Sequence, residues 1–136
     1  MKYYFLGLML CCTASLKAQT IDVTNFGVRP NSFSDATESV KKAIEASKGQ
    51  EQTVLNFPKG RYDFWPDQAT ETHYYISNSS SETEFPVKKQ KVGLYLKGLK
   101  KVTIEGNGSV FIFHGKMVTW VGRLRANQYT KFNDKL

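Results

Sequence analysis

The sequence predicts an all-β protein, the start of a right-handed parallel β-helix with an N-terminal capping helix, and three observations point there. From Thr53 onward the chain breaks into short β runs divided by Gly, Pro and Asn. The runs at 93–97 (GLYLK), 101–105 (KVTIE) and 109–113 (SVFIF) are separated by turns of about three residues. A single amphipathic helix precedes them all.

That helix is read from Asp35-Ala36-Thr37-Glu38, an N-cap with an acidic partner three positions on, and from Val40, Ala43, Ile44 and Ser47, which share one face. Gly49 is expected to end it. Ahead of it, Ile21-Asp22-Val23 is a short strand candidate, and Phe26-Gly27-Val28-Arg29-Pro30 carries the glycine and proline of a turn. After it come runs at 53–57 (TVLNF), 61–65 (RYDFW) and 73–76 (HYYI). Residues 77–91, rich in Ser, Glu and Lys, read as a long exposed loop.

Two architectures can use this rhythm. If Gly106-Asn107-Gly108 folds the chain back, residues 101–113 form an antiparallel hairpin in a small sandwich. If each turn only bends the chain round a corner, successive strands lie on different faces of one coil and the coils stack in parallel. Periodicity does not choose between them. The leading helix favours the coil, because the open end of a coil exposes unpaired strand edges and an apolar cross-section that need a cover.

The chain opens with a secretory signal pattern and is expected to be exported after cleavage near Ala18. Lys2 gives the positive start, residues 5–16 (FLGLMLCCTASL) the apolar stretch, and small Ala18 the cleavage site. About 12 mostly apolar residues fall short of the roughly 20 that cross a bilayer as a helix, so no membrane span is expected. A lipoprotein would need a small residue before the acylated cysteine, whereas Leu10 precedes Cys11 and Cys11 precedes Cys12. Cleavage would remove both cysteines, leaving neither a disulfide nor a thiolate metal site. The domain reading is therefore a signal peptide at 1–18, a cap and first coils at 19–120, and an aberrant tail at 121–136.

Removing Lys2 and Lys17 lowers the formal charge from +7 to +5, with 17 basic residues facing 12 acidic ones. The basic density lies in Lys88-Lys89-Gln90-Lys91, at 97–101 and in the tail. No nucleic-acid recognition motif or interleaved stacking aromatics accompany it, so nucleic acid is not an expected partner and a solvated loop is the simpler reading.

Three stretches align with known families. Residues 23–44 (VTNFGVRPNSFSDATESVKKAI) resemble the opening of pectin-lyase-like β-helices, which specifies a fold and little more. Residues 57–66 (FPKGRYDFWP) and 108–115 (GSVFIFHG) resemble glycoside hydrolase family 110, with 92–108 fitting the coil between them. The resemblance implies an exo-acting α-galactosidase that removes terminal α-1,3-linked galactose from glycans with inversion, without a cofactor. The rival readings are a carbohydrate-binding or adhesive β-helix module and a fragment of a polygalacturonase- or lyase-like β-helix enzyme.

Inversion needs a carboxylic acid and a carboxylate about 6.5–9.5 Å apart. Asp35 is assigned to the helix cap, and Asp22, Asp63, Asp67 and Glu105 to strands and turns where outward carboxylates are ordinary. The resemblance places the family's catalytic carboxylates in later coils, so no catalytic residue is assigned in this chain. Trp65, Tyr74 and Tyr75 could stack on a sugar, with packing in the coil or under the helix the preferred reading. His73 and His114 form no zinc pattern, and His114 is assigned to packing. Asn78-Ser79-Ser80 and Asn107-Gly108-Ser109 match the glycosylation acceptor pattern, which is frequent by chance.

From Val121 (VGRLRANQYTKFNDKL) the resemblance lapses, and Leu124, Tyr129 and Phe132 are scattered among charges and amides. The expectation is that a frameshift or truncation removed the rest, to be checked by translating the downstream DNA in the other two frames. The fragment is then expected to be inactive alone.

Overall fold

The computed structural model describes residues 18–73, 89–122 and, for the backbone alone, 131–133. The signal-peptide reading at 1–17, Tyr74, Tyr75 and Asn78-Ser79-Ser80 lie outside these residues. Within them the chain is mostly strand, with one α-helix and small sheets. None of their helices is long and apolar enough to cross a membrane.

Strands β1 (Gln19–Asp22), β2 (Gln52–Asn56), β6 (Lys101–Glu105) and β9 (Lys131–Asn133) form one sheet in that order, parallel throughout. The register aligns Ile21 with Leu55 and Leu55 with Ile104. All three side chains are buried, so the alternation in β2 and β6 puts one face of each into a common interior. The tail at 131–133 thus extends this sheet beside β6.

Strand β3 (Arg61–Phe64) pairs in parallel with β7 (Val110–Phe113), Tyr62 opposite Phe111 and Phe64 opposite Phe113. The third sheet holds β4 (Thr70–His73), β5 (Lys89–Tyr95) and β8 (Val118–Val121). Here β5 runs parallel to β8 but antiparallel to β4. The hairpin alternative is not adopted, because β6 pairs with β2 and β7 pairs with β3.

Several boundaries differ from the sequence reading. Lys89, Gln90 and Lys91 belong to β5 and not to a loop; Glu71 opposite Lys91 and the Lys89–Glu71 ion pair at 3.9 Å give these lysines acidic neighbours on β4. Of the run expected at 73–76 only His73 is described, as the last residue of β4, and 74–76 lie outside the described residues. Strand β8 carried no sequence signal, since Thr119 and Trp120 are exposed in its middle.

The helix α1 (Thr37–Ala46) buries Thr37, Val40, Ala43 and Ile44 against Val23 and β5. Ala36, and not Asp35, occupies the cap position, but Asp35 Oδ1 still accepts from Thr37 N at 2.9 Å. At the other end Ser47 Oγ donates to Ala43 O at 2.9 Å, and Gly49 takes a left-handed φ of 86° beyond it. The aromatics pack in the same core cluster as Val40, Ala43 and Ile44 of the helix. Phe64 stacks on Phe113 with centroids 4.8 Å apart, and Phe57 meets Phe111 edge-on at 4.9 Å. Such pairs add about 0.5–1.5 kcal/mol each beyond the area they bury. Gly93 makes room for them, because a Cβ there would fall 2.7 Å from a Phe113 ring carbon.

Candidate functional site

Residues of one strand are divided between the two sides of β3. Tyr62 and Phe64 enter the aromatic interior, while Arg61 and Asp63 lie on the opposite, outer side, as the two-residue period of a strand requires. That outer side is covered on two flanks. On one, the 31–37 segment runs alongside β3: Asn31 N donates to Arg61 O at 2.9 Å, Arg61 N to Asn31 Oδ1 at 2.9 Å, and Ala36 N to Asp63 O at 2.8 Å. On the other lies β7, continued by His114 N donating to Phe64 O at 2.9 Å.

Asp63 points outward as the sequence suggested but is 1% exposed, so it is not an ordinary solvent-facing carboxylate. Its carboxylate is engaged by residues the alternation rule does not see, one from its own strand and one from the β7 flank. Arg61 donates from Nε to Oδ2 at 2.9 Å and from Nη2 to Oδ1 at 2.6 Å. His114 Nε2 lies 2.7 Å from Oδ1. The Arg61 hydrogen bonds hold the Asp63 carboxyl below its usual range against the opposing effect of burial, with His114 adding to the lowering. An ionised carboxylate only accepts, so Nε2 of His114 carries the proton. The imidazole is stacked on Trp65, with centroids 4.0 Å apart and planes within 10°.

This arrangement positions rather than reacts. Both oxygens of Asp63 are engaged, and a carboxyl held ionised is a poor proton donor to a leaving oxygen. Asp35 Oδ1 is likewise shared between Thr37 N and Trp65 N, at 2.9 and 3.3 Å. Trp65 lies half-buried and stacked on His114, not in the interior or under the helix as expected, with its backbone N–H donating to Thr37 Oγ1 and Asp35 Oδ1. His114 is packed as expected, though against an ion pair.

A second polar row joins the strand ends of the first sheet. Asp22 Oδ2 accepts from Asn56 Nδ2 at 2.9 Å, and Asn56 Oδ1 accepts from Asn107 Nδ2 at 2.9 Å. Asn107 Nδ2 also donates to Phe57 O at 2.9 Å, so this acceptor-pattern asparagine is used between turns. The Thr24 hydroxyl first, then the Thr24 amide and Asn56, lower the Asp22 carboxyl against burial. Asp67 is exposed at the turn after Trp65, and Glu105 closes β6. His73 ends β4 and His114 follows β7; among the described residues no group of three His, Cys, Asp or Glu could hold a metal.

The residue that sequence reasoning missed is Phe33. It is 63% exposed, sits at a left-handed φ of 56°, and has the Arg61 guanidinium 4.6 Å from its ring centroid. A lone aromatic in the polar run Asn31-Ser32-Phe33-Ser34 was the available signal. Its chain neighbours Ser32 and Ser34, and not Phe33 itself, line a cavity of about 340 Å3 together with Gly27, Val28, Arg29, Asp35 and Ala36.

No protein-family profile matches the chain. Individual relatives do. It is 46% identical over 100 residues to alpha-1,3-galactosidase A of Bacteroides fragilis, covering 74% of this chain and 16% of that protein. It is 39% identical over 111 residues to alpha-1,3-galactosidase B of Bacteroides thetaiotaomicron, covering 82% and 17%. Alpha-1,3-galactosidase A of Shewanella woodyi is 40% identical over 114 residues, covering 83% and 18%. Strand-built and similar to proteins with these names, the chain falls among the glycoside hydrolases. Over the stretch it shares with these relatives it belongs to glycoside hydrolase family 110, and it spans less than a fifth of their length.

Proposed function

We propose that this chain is the N-terminal portion of a secreted exo-α-galactosidase that acts on terminal α-1,3-linked galactose by inverting hydrolysis, and that it lacks the catalytic carboxylates. The observation that carries the reading is the 39–46% identity to proteins named for that activity over most of this chain but less than a fifth of theirs. The fold proposed with it is the capped opening of a right-handed parallel β-helix. In its support, the chain passes from β2 through β3 to β5, then from β6 through β7 to β8, each later strand parallel to its earlier counterpart. The helix α1 would be the lid, and β4 a departure from uniform winding within the third face.

An active site on such a solenoid is built from several stacked coils, and Asp22, Asp35 and Asp63 already have oxygens committed to amides, asparagine, arginine or histidine. Galactose-terminated glycans are the proposed partner of the longer protein, with export as its route. The test is to incubate the 136-residue chain with α-1,3-galactobiose and measure free galactose. No release is expected. Turnover that vanishes on replacing one of its carboxylates would overturn the assignment of the chemistry to other coils.

A further inference from the structure

The loop at 29–36 is held in a conformation that works against its own residues. Phe33 at φ 56° and Asn31 at φ 59° are left-handed. That region is unremarkable for asparagine and unfavourable for a bulky aromatic. The conformation also puts a phenyl ring into water, forfeiting the burial that would stabilise it. Nothing about the loop is loosely determined. Asn31 exchanges two hydrogen bonds with Arg61, and the loop lies so close to the next turn that a Cβ on Gly60 would come within 2.5 Å of Pro30 Cβ. The neighbouring strand therefore imposes the display of Phe33.

We infer that Phe33 and the adjoining cavity form a saccharide subsite, with the ring taking the apolar face of a hexopyranose and Arg29, Ser34 and Asp35 meeting its hydroxyls. Three features fit a neutral sugar. The aromatic is presented with one face against Arg61 and the rest open to solvent. The cavity, at about 340 Å3, is at the small end of ligand pockets, which run from about 300 to 1,000 Å3, a scale suited to one ring. Its lining mixes a guanidinium, hydroxyls and a carboxylate, which together donate to and accept from ring hydroxyls without a net charge demand. The choice of a galactoside as the sugar rests on the galactosidase reading above. The subsite would hold glycan on the outer face of β3, apart from any bond cleavage.

The experiment is a calorimetric or NMR titration of the 136-residue chain with α-1,3-galactobiose and, separately, with cellobiose. It is repeated for Phe33→Gly, Phe33→Trp and Arg29→Gln, with a thermal melt of each. The wild type is expected to bind galactobiose, Phe33→Trp to retain it, and Phe33→Gly to lose about tenfold or more in affinity. Phe33→Gly should melt no lower than the wild type, because glycine accepts the positive φ; Arg29→Gln should weaken binding by a smaller factor. Undiminished binding by Phe33→Gly, or no binding of either sugar by the folded wild type, overturns the subsite and leaves the hydrolysis test of the proposed function untouched. Phe33-dependent binding of cellobiose alone overturns the galactoside assignment and counts against the galactosidase reading itself.

Discussion

The four residues of β3 are held two on each face, and the two faces hold them by different physics. Inward, Tyr62 and Phe64 are 1% and 0% exposed and lie in a cluster of rings with Phe57, Phe111 and Phe113. Outward, Arg61 and Asp63 join the 31–37 segment to the turn after β7 through an ion pair, a histidine and backbone hydrogen bonds. The interior grips by contact area, which does not change with pH until the alkaline range in which Tyr62 ionises. The exterior grips by charge and direction, which do. The strand is thus fixed in depth by one side and in register and orientation by the other.

Removing the inner grip should have the largest effect. Phe64→Ala empties a site stacked on Phe113 and should cost about 3–5 kcal/mol in denaturant unfolding, enough to leave a small chain largely unfolded. An unchanged midpoint would mean the ring cluster is not the core. Asp63→Ala should cost less, about 2 kcal/mol, because Arg61 and His114 keep access to water once their partner is gone. The polar row is weaker still: Asn56→Ala should cost about 1 kcal/mol, read from the same unfolding curves.

The contrast also has a pH signature. The Asp63 and Asp22 carboxyls are lowered in the folded chain, so the unfolded chain takes up protons first as pH falls. Their contribution is fully present above about pH 4, the ordinary carboxylate value, and is lost as pH drops through the lowered folded values. Denaturant midpoints should therefore fall on acidification below about pH 4, and Asp63→Asn, weaker at neutrality, should show a shallower fall. Burial pushes the Tyr62 hydroxyl up to about 12, with Asp22 adding to it. Its contribution has the opposite sense, present below about pH 10 and lost above it, which Tyr62→Phe should abolish.

The inner face was the more legible one in the sequence. The run at 101–105 was legible as a strand, and the spacing of Val40, Ala43 and Ile44 placed the helix face, because both depend only on a segment's own pattern. The outer face was not legible in this way. Asp63 was read as an ordinary outward carboxylate because its position on the strand is indeed outward; what buries it arrives from His114, 51 positions away, and from the 31–37 segment. Phe33 was passed over since no periodic pattern marks it. Only the left-handed backbone and the contact with Arg61 show that its exposure is imposed. The 89–91 strand was hidden by its lysines, whose acidic neighbours lie on another strand.

The most direct test of the winding is an isotope-edited NMR measurement of contacts around Ile104. Parallel stacking places its side chain beside Leu55, and Leu55 beside Ile21, so methyl contacts are expected between Ile104 and Leu55 and between Leu55 and Ile21. Backbone contacts between residues 101–105 and 110–113 in an antiparallel ladder, with those methyl contacts missing, would contradict it.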